Sequence, residues 1–123
     1  MTQSISIPVT FQNILVSVKP DASSPNGYSV ETIPKIPTIT NQNTVINYQI
    51  AEDGGYPITF TGMTVVPADN GQLSAASVSV DGQLMTFNDL NTTQMTLNVT
   101  LEFADKAGVK FAHDPQIRND PQG

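Results

Sequence analysis

One histidine, His113, and eleven acidic side chains are the residues of this chain with the clearest claim to chemistry. A histidine acting as general base needs a nucleophile within reach and a third group to orient it. Asp114 follows directly in sequence, and in an extended segment consecutive side chains point to opposite faces, so it is poorly placed to orient His113. Ser-His-Asp sites assemble in space, which leaves that chemistry open on spacing alone. No Gly-x-Ser-x-Gly elbow is present to support it. One histidine and no cysteine exclude a histidine-rich or thiolate metal centre.

The acids suggest a different chemistry, because hard cations such as Ca²⁺ collect six to eight oxygen ligands and loops can pool them. Glu52 with Asp53, Asp69 with Asn70, Asp105, and Asp114 with Asn119 and Asp120 are the candidates. None lies in a twelve-residue pattern of alternating Asp or Asn closed by Glu, and Asp and Asn are also ordinary turn residues. Gly54-Gly55 and Asp69-Asn70-Gly71 lack the following helix and lysine of a phosphate cradle. A carboxylate pair for glycoside hydrolysis is defined by a separation in space, and three Tyr without Trp make a poor sugar platform. The expectation is therefore no catalytic residue, no resident metal and no cofactor.

The C-terminal stretch is the least ordinary: Phe111, Ala112, His113, Asp114, Pro115, Gln116, Ile117, Arg118, Asn119, Asp120 and Pro121. Its two Asp-Pro steps bias Asp114 and Asp120 towards extended geometry, with the apolar Ile117 between them. Phe111, His113, Asp114, Pro115, Ile117, Asn119, Asp120 and Pro121 form the candidate interaction segment. Residues 114–123 are expected as a surface segment at the end of a single domain spanning 1–123.

The elements that must carry these residues are strands. Val, Ile and Thr outnumber Ala, Leu, Glu and Lys by 35 to 21, and β-branched side chains suit pleated surfaces. Nine scattered prolines leave little room for helices. One apolar parity runs through Ile5, Ile7, Val9 and Phe11, another through Ile14, Val16 and Val18, which predicts a turn or bulge at Gln12-Asn13. Pro8 would put that first strand at an edge. Alternation continues through Ile46, Tyr48 and Ile50, through Ile58, Phe60, Gly62, Thr64 and Val66, and through Met95, Leu97, Val99, Leu101 and Phe103.

Two hairpins follow from the turn signals. Asp81-Gly82 between Val78 and Phe87 predicts a two-residue turn with positive φ at both central positions. Asp105 to Gly108 predicts a longer connection into a strand with Val109 and Phe111 inward and His113 near the rim. Ile33-Pro34-Lys35-Ile36-Pro37 reads as a crossover or edge segment, since prolines break a central ladder. The sum is an all-β, antiparallel sandwich of about seven to nine strands.

The acidic chain of this size, with its repeated Asp-Pro in Phe111 to Pro121, resembles the small bacterial DP-EP family, named for Asp-Pro and Glu-Pro steps. Asp114-Pro115 fits the first element, and Asp120-Pro121 stands where Glu-Pro is expected. A weaker similarity runs to inclusion-body proteins of the AidA/PixA type. The resemblance implies an immunoglobulin-like sandwich without established activity and supplies no catalytic residue. The cysteines and tryptophan of antibody domains are absent.

A net charge of −6 repels phosphate backbones and anionic lipid, so neither nucleic acid nor membrane is an expected partner. The stretch before Lys19 has no basic residue and alternates apolar with polar, which predicts a cytoplasmic location. The expected function is a non-enzymatic binding or structural module acting through an edge strand or end loops on a protein partner or a second copy of itself, with any small-molecule ligand left open. The alternative is a carboxylate-dependent hydrolase with its site at one end of the sandwich.

Overall fold

A computed structural model describes residues 10–121. Ten strands and no helix occur among them: β1 (Thr10–Pro20), β2 (Tyr28–Ile33), β3 (Thr38–Ile39), β4 (Thr44–Glu52), β5 (Ile58–Val66), β6 (Ser77–Val78), β7 (Leu84–Asp89), β8 (Met95–Asp105), β9 (Lys110–His113) and β10 (Gln116–Asn119). One sheet has the order β2-β1-β4-β7-β6, the other β3-β10-β8-β5, with β9 also on β8. The inner faces meet in one core, with Ile14, Val16, Ile46, Tyr48 and Met85 from the first sheet and Ile58, Leu97, Val99, Leu101 and Phe103 from the second. The protein is an all-β sandwich, but its sheets are mixed rather than purely antiparallel. β1 runs parallel to β4, and β10 runs parallel to β3. A parallel neighbour needs a crossover, and the proline-rich segment after Ile33 provides it by carrying the chain from β2 in one sheet to β3 in the other.

Several local expectations are corrected. No turn occurs at Gln12-Asn13: β1 keeps one inward parity through Ile14, Val16 and Val18, and Phe11 is left 66% exposed on the outer face. Asn13 is held outward because its Oδ1 accepts from Asn47 Nδ2 at 2.9 Å, while Asn47 Oδ1 accepts from Thr86 Oγ1 at 2.8 Å. The irregularity in β1 lies between Val16 and Ser17, against β4. The expected strand through Ile5, Ile7, Pro8 and Val9 lies outside the described residues. In β5 the inward parity of Ile58 and Phe60 breaks at a bulge between Phe60 and Gly62, so Met63 and Val65 turn in and Val66 turns out.

The hairpin at Asp81-Gly82 has a longer loop than the two-residue form. Gly82 N–H donates to Ser79 C=O at 2.9 Å, so Val80 and Asp81 are the central residues, and of the two residues Asp81 and Gly82 only Gly82 takes positive φ, +74°. The second hairpin closes as expected, with Phe103 opposite Phe111. Val109 is 41% exposed rather than core, because it sits at the turn, where its N–H donates to Asp105 Oδ1.

The largest correction concerns residues 114–123. Gln116–Asn119 is not a surface segment but an interior strand, β10, between β8 and β3. Ile117 and Asn119 are fully buried. Ile117 lies opposite Leu97, so its apolar side chain completes the core.

Tyr48 lies in the middle of that core, and its hydroxyl has no hydrogen-bond partner among the described residues. Burial alone pushes its pKa upward. An unpaired buried hydroxyl costs about 1 to 3 kcal/mol, so Tyr48→Phe is expected to raise stability by about 1 kcal/mol, measured by urea unfolding. A loss of stability in that variant would mean the hydroxyl is hydrogen-bonded in solution.

Candidate functional site

The Asp114-Pro115 step lies inside a single extended run. Leu101 faces His113 and Asn98 faces Gln116 in one unshifted antiparallel register, so β9 and β10 are two parts of one strand along β8. That register sets Thr100 opposite Asp114 and Val99 opposite Pro115. Thr100 Oγ1 donates to Asp114 Oδ1 at 2.8 Å. Val99 N–H donates to Pro115 C=O at 2.9 Å, but proline has no N–H to return. Beyond this point Arg118 N–H donates to Pro37 C=O, and β3 covers the outer edge of β10. Above it, β9 has only β8 as a strand neighbour among the described residues.

Across the seam stands β2, the edge strand of the other sheet. Asp21 N–H donates to Gly27 C=O, and antiparallel ladders alternate bonded and non-bonded pairs. On that alternation Lys19 and Ser29, then Ser17 and Glu31, are the bonded pairs, and Val30 and Thr32 turn their N–H and C=O groups outward. The two open edges are clamped at one level by Tyr28. Its ring stacks on Phe111 at 4.6 Å, and its hydroxyl donates to Asp105 Oδ2 at 2.7 Å. That hydrogen bond raises the pKa of Tyr28 and lowers that of Asp105.

Beside this clamp the seam opens into a groove of about 620 Å³. Val30 to Thr32 form one wall, Asn98 to Thr100 and His113 to Gln116 the other, and Lys35, Ile36 and Val66 the rim. Ile36 and Val66 are 45% and 64% exposed and give the groove an apolar margin. His113 is half-buried here, and burial lowers its pKa, partly opposed by the charge of Asp114. It therefore lines the groove chiefly as neutral imidazole at neutral pH.

The candidate segment is thus divided. His113, Asp114 and Pro115 come together in the groove. Phe111 and Ile117 belong to the core, and Asn119 is buried at the far end. Asp120 and Pro121 are half-buried beyond β10, with Asp120 N–H donating to Ile39 C=O. Glu31, Lys35, Ile36, Val66 and Asn98 were not selected from sequence, and the crossover prolines around Lys35 were the one signal of irregular backbone there. Among the candidate loop acids, Asp53 and Asp105 accept hydrogen bonds from their own turns. Among the described residues no three His, Cys, Asp or Glu stand together as a metal-holding group, and no helix is long and apolar enough to cross a membrane.

Comparison with known proteins agrees with the C-terminal motif. The model of the DP-EP family matches residues 5–121. No curated protein matches the chain.

Proposed function

From the premise that the chain belongs to the DP-EP family, we propose that it is a non-enzymatic binding module whose open seam receives an extended protein segment as an added strand. The observation that carries this reading is the groove itself, bordered by the outer edge of β2, which has no strand neighbour but β1 among the described residues, and by the proline break opposite Val99. An extended peptide satisfies outward backbone groups such as those of Val30, while Ile36 and Val66 offer apolar contact to alternate side chains. An edge strand of a second copy uses the same chemistry, which makes self-association one form of this binding.

The hydrolase alternative has less support. The acid that burial pushes upward, Asp89, does not line the groove, and within the groove Asp114 is engaged by Thr100. A general acid near neutral pH is expected where a raised carboxyl and a concave site coincide.

The test is selection of binders from a displayed peptide library, followed by amide shift mapping on the full chain. Shifts are expected at Val30–Thr32 and Asn98–Thr100. N-methylation of alternate peptide residues, those facing β2, should abolish binding, whereas methylation of the intervening ones should not. Binding indifferent to backbone methylation, or mapping to another face, overturns strand addition.

A further inference from the structure

Where β7 and β10 end, away from the groove, three polar side chains are buried together. Asp89 ends β7, Asn91 follows it, and Asn119 ends β10, each with zero exposure. Asp89 Oδ1 accepts from Asn91 N–H at 3.0 Å and from Asn119 Nδ2 at 2.9 Å. Asn91 Nδ2 donates to the carbonyls of Ile39 and Asn41 at 2.9 and 3.2 Å. These donors set both amide orientations, because a flipped amide would direct oxygen at oxygen. What remains is three buried oxygens without a hydrogen-bond partner among the described residues: Asp89 Oδ2, Asn91 Oδ1 and Asn119 Oδ1.

All three orphans are acceptors once Asp89 is ionised. A buried water has two hydrogens to give and leaves one of them unsatisfied. Among the described residues no basic side chain is one of the influences on Asp89, which are burial, Asn119 and Asn91. A buried carboxylate without a counter-charge is costly, and a buried orphan polar group commonly marks an unseen water or ion.

We propose that Asp89, Asn91 and Asn119 hold a hard, oxygen-preferring cation through these three oxygens. A cation within reach of all three oxygens would meet every orphan acceptor and supply the missing positive charge in one step. An all-oxygen set of one carboxylate and two amides excludes soft metals and suits Ca²⁺ or Na⁺ better than Mg²⁺, which is reluctant to shed its waters. The ion would tie the end of β7 to the end of β10 and thereby bridge the two sheets. This site is separate from the loop acids considered from sequence, apart from Asn119.

The experiment uses the full chain stripped of metal and kept in choline chloride. CaCl₂, NaCl, KCl and MgCl₂ are then added at constant ionic strength while the melting temperature is followed. Calcium or sodium is expected to raise it by several degrees, increasing with the logarithm of concentration, as mass action requires. In Asp89→Asn the charge is gone and the new amide can donate to a neighbouring oxygen, so the response should vanish. Should that variant fail to fold, titration calorimetry on the wild-type chain decides between one saturable cation site and none. Absence of any cation response, or an equal response in Asp89→Asn, overturns the proposal. So does a melting temperature that rises only as the pH is lowered, which would assign the orphans to a protonated Asp89 with a trapped water.

Discussion

Replacing Gly82 by Val is expected to destabilise the protein by about 3 kcal/mol, a fall of about 10 °C in melting temperature. Two independent effects add at this position. Its φ of +74° lies in the left-handed region that a β-branched residue resists. A Cβ built there would also lie 2.6 Å from both Cβ and Cγ2 of Thr59. Cβ of Thr59 sits on the β5 backbone, so it cannot swing aside as the tip of a long side chain would. The same turn ties the sheets together, since Gly82 C=O accepts from Phe60 N–H and Gln83 C=O from Ile50 N–H. Gly108 supplies the control: its φ is +88°, but nothing lies within 4 Å of an added Cβ. Gly108→Ala should therefore cost only the strain of about 1 kcal/mol, with Gly82→Ala clearly larger. Equal losses in the two alanine variants would show that the contact with Thr59 is relieved by a shift of β5.

A chain ending at Pro115 is expected to lose its cooperative unfolding transition. The cut removes β10, which separates β8 from β3 in the second sheet. β3 then has no strand neighbour, Leu97 loses the facing Ile117, and the buried bond from Asn119 to Asp89 disappears. Ile117→Ala alone should cost about 3 kcal/mol, in the range for buried aliphatic truncations. Far-ultraviolet circular dichroism and amide dispersion on the shortened chain are the measurements. A native melting temperature there would place β10 outside the core.

Those two cases show which features a sequence carries legibly. Turn residues with a backbone requirement are visible, so Gly82 and Gly108 marked both hairpins. Long alternation is visible too, and Leu97 to Phe103 and Ile46 to Ile50 face the core in the structure. What alternation does not carry is the identity of the neighbouring strand. β1 beside β4 in parallel is a long-range pairing with no local signature, and antiparallel pairing was the natural expectation. Phe11 misled because an apolar residue was assigned inward, while hydrogen bonding of Asn13 and Asn47 orients that face outward. Ile117 misled in the opposite sense: two flanking prolines suggested a tail, yet four of the five residues between them, Gln116–Asn119, form a short interior strand. The groove was half legible. Asp114-Pro115 stood out, but Glu31, Lys35 and Val66 reach it from elsewhere in the chain, through sheet order that spacing cannot encode. Asp89 gave no signal, since its burial depends on β3, β4 and β10 converging on its end of the fold.

The interior position of β10 also constrains how the chain is made. Thr38 pairs with Arg118, so β3 emerges from the ribosome long before its partner exists. The hairpin of β1 and β2 can form early, but the second sheet must wait, with one flank of β8 open to any other extended chain nearby. Folding of this sheet is thus tied to the completion of β10 in synthesis, and a translational stall before residue 116 leaves a nascent chain with an exposed, aggregation-prone edge.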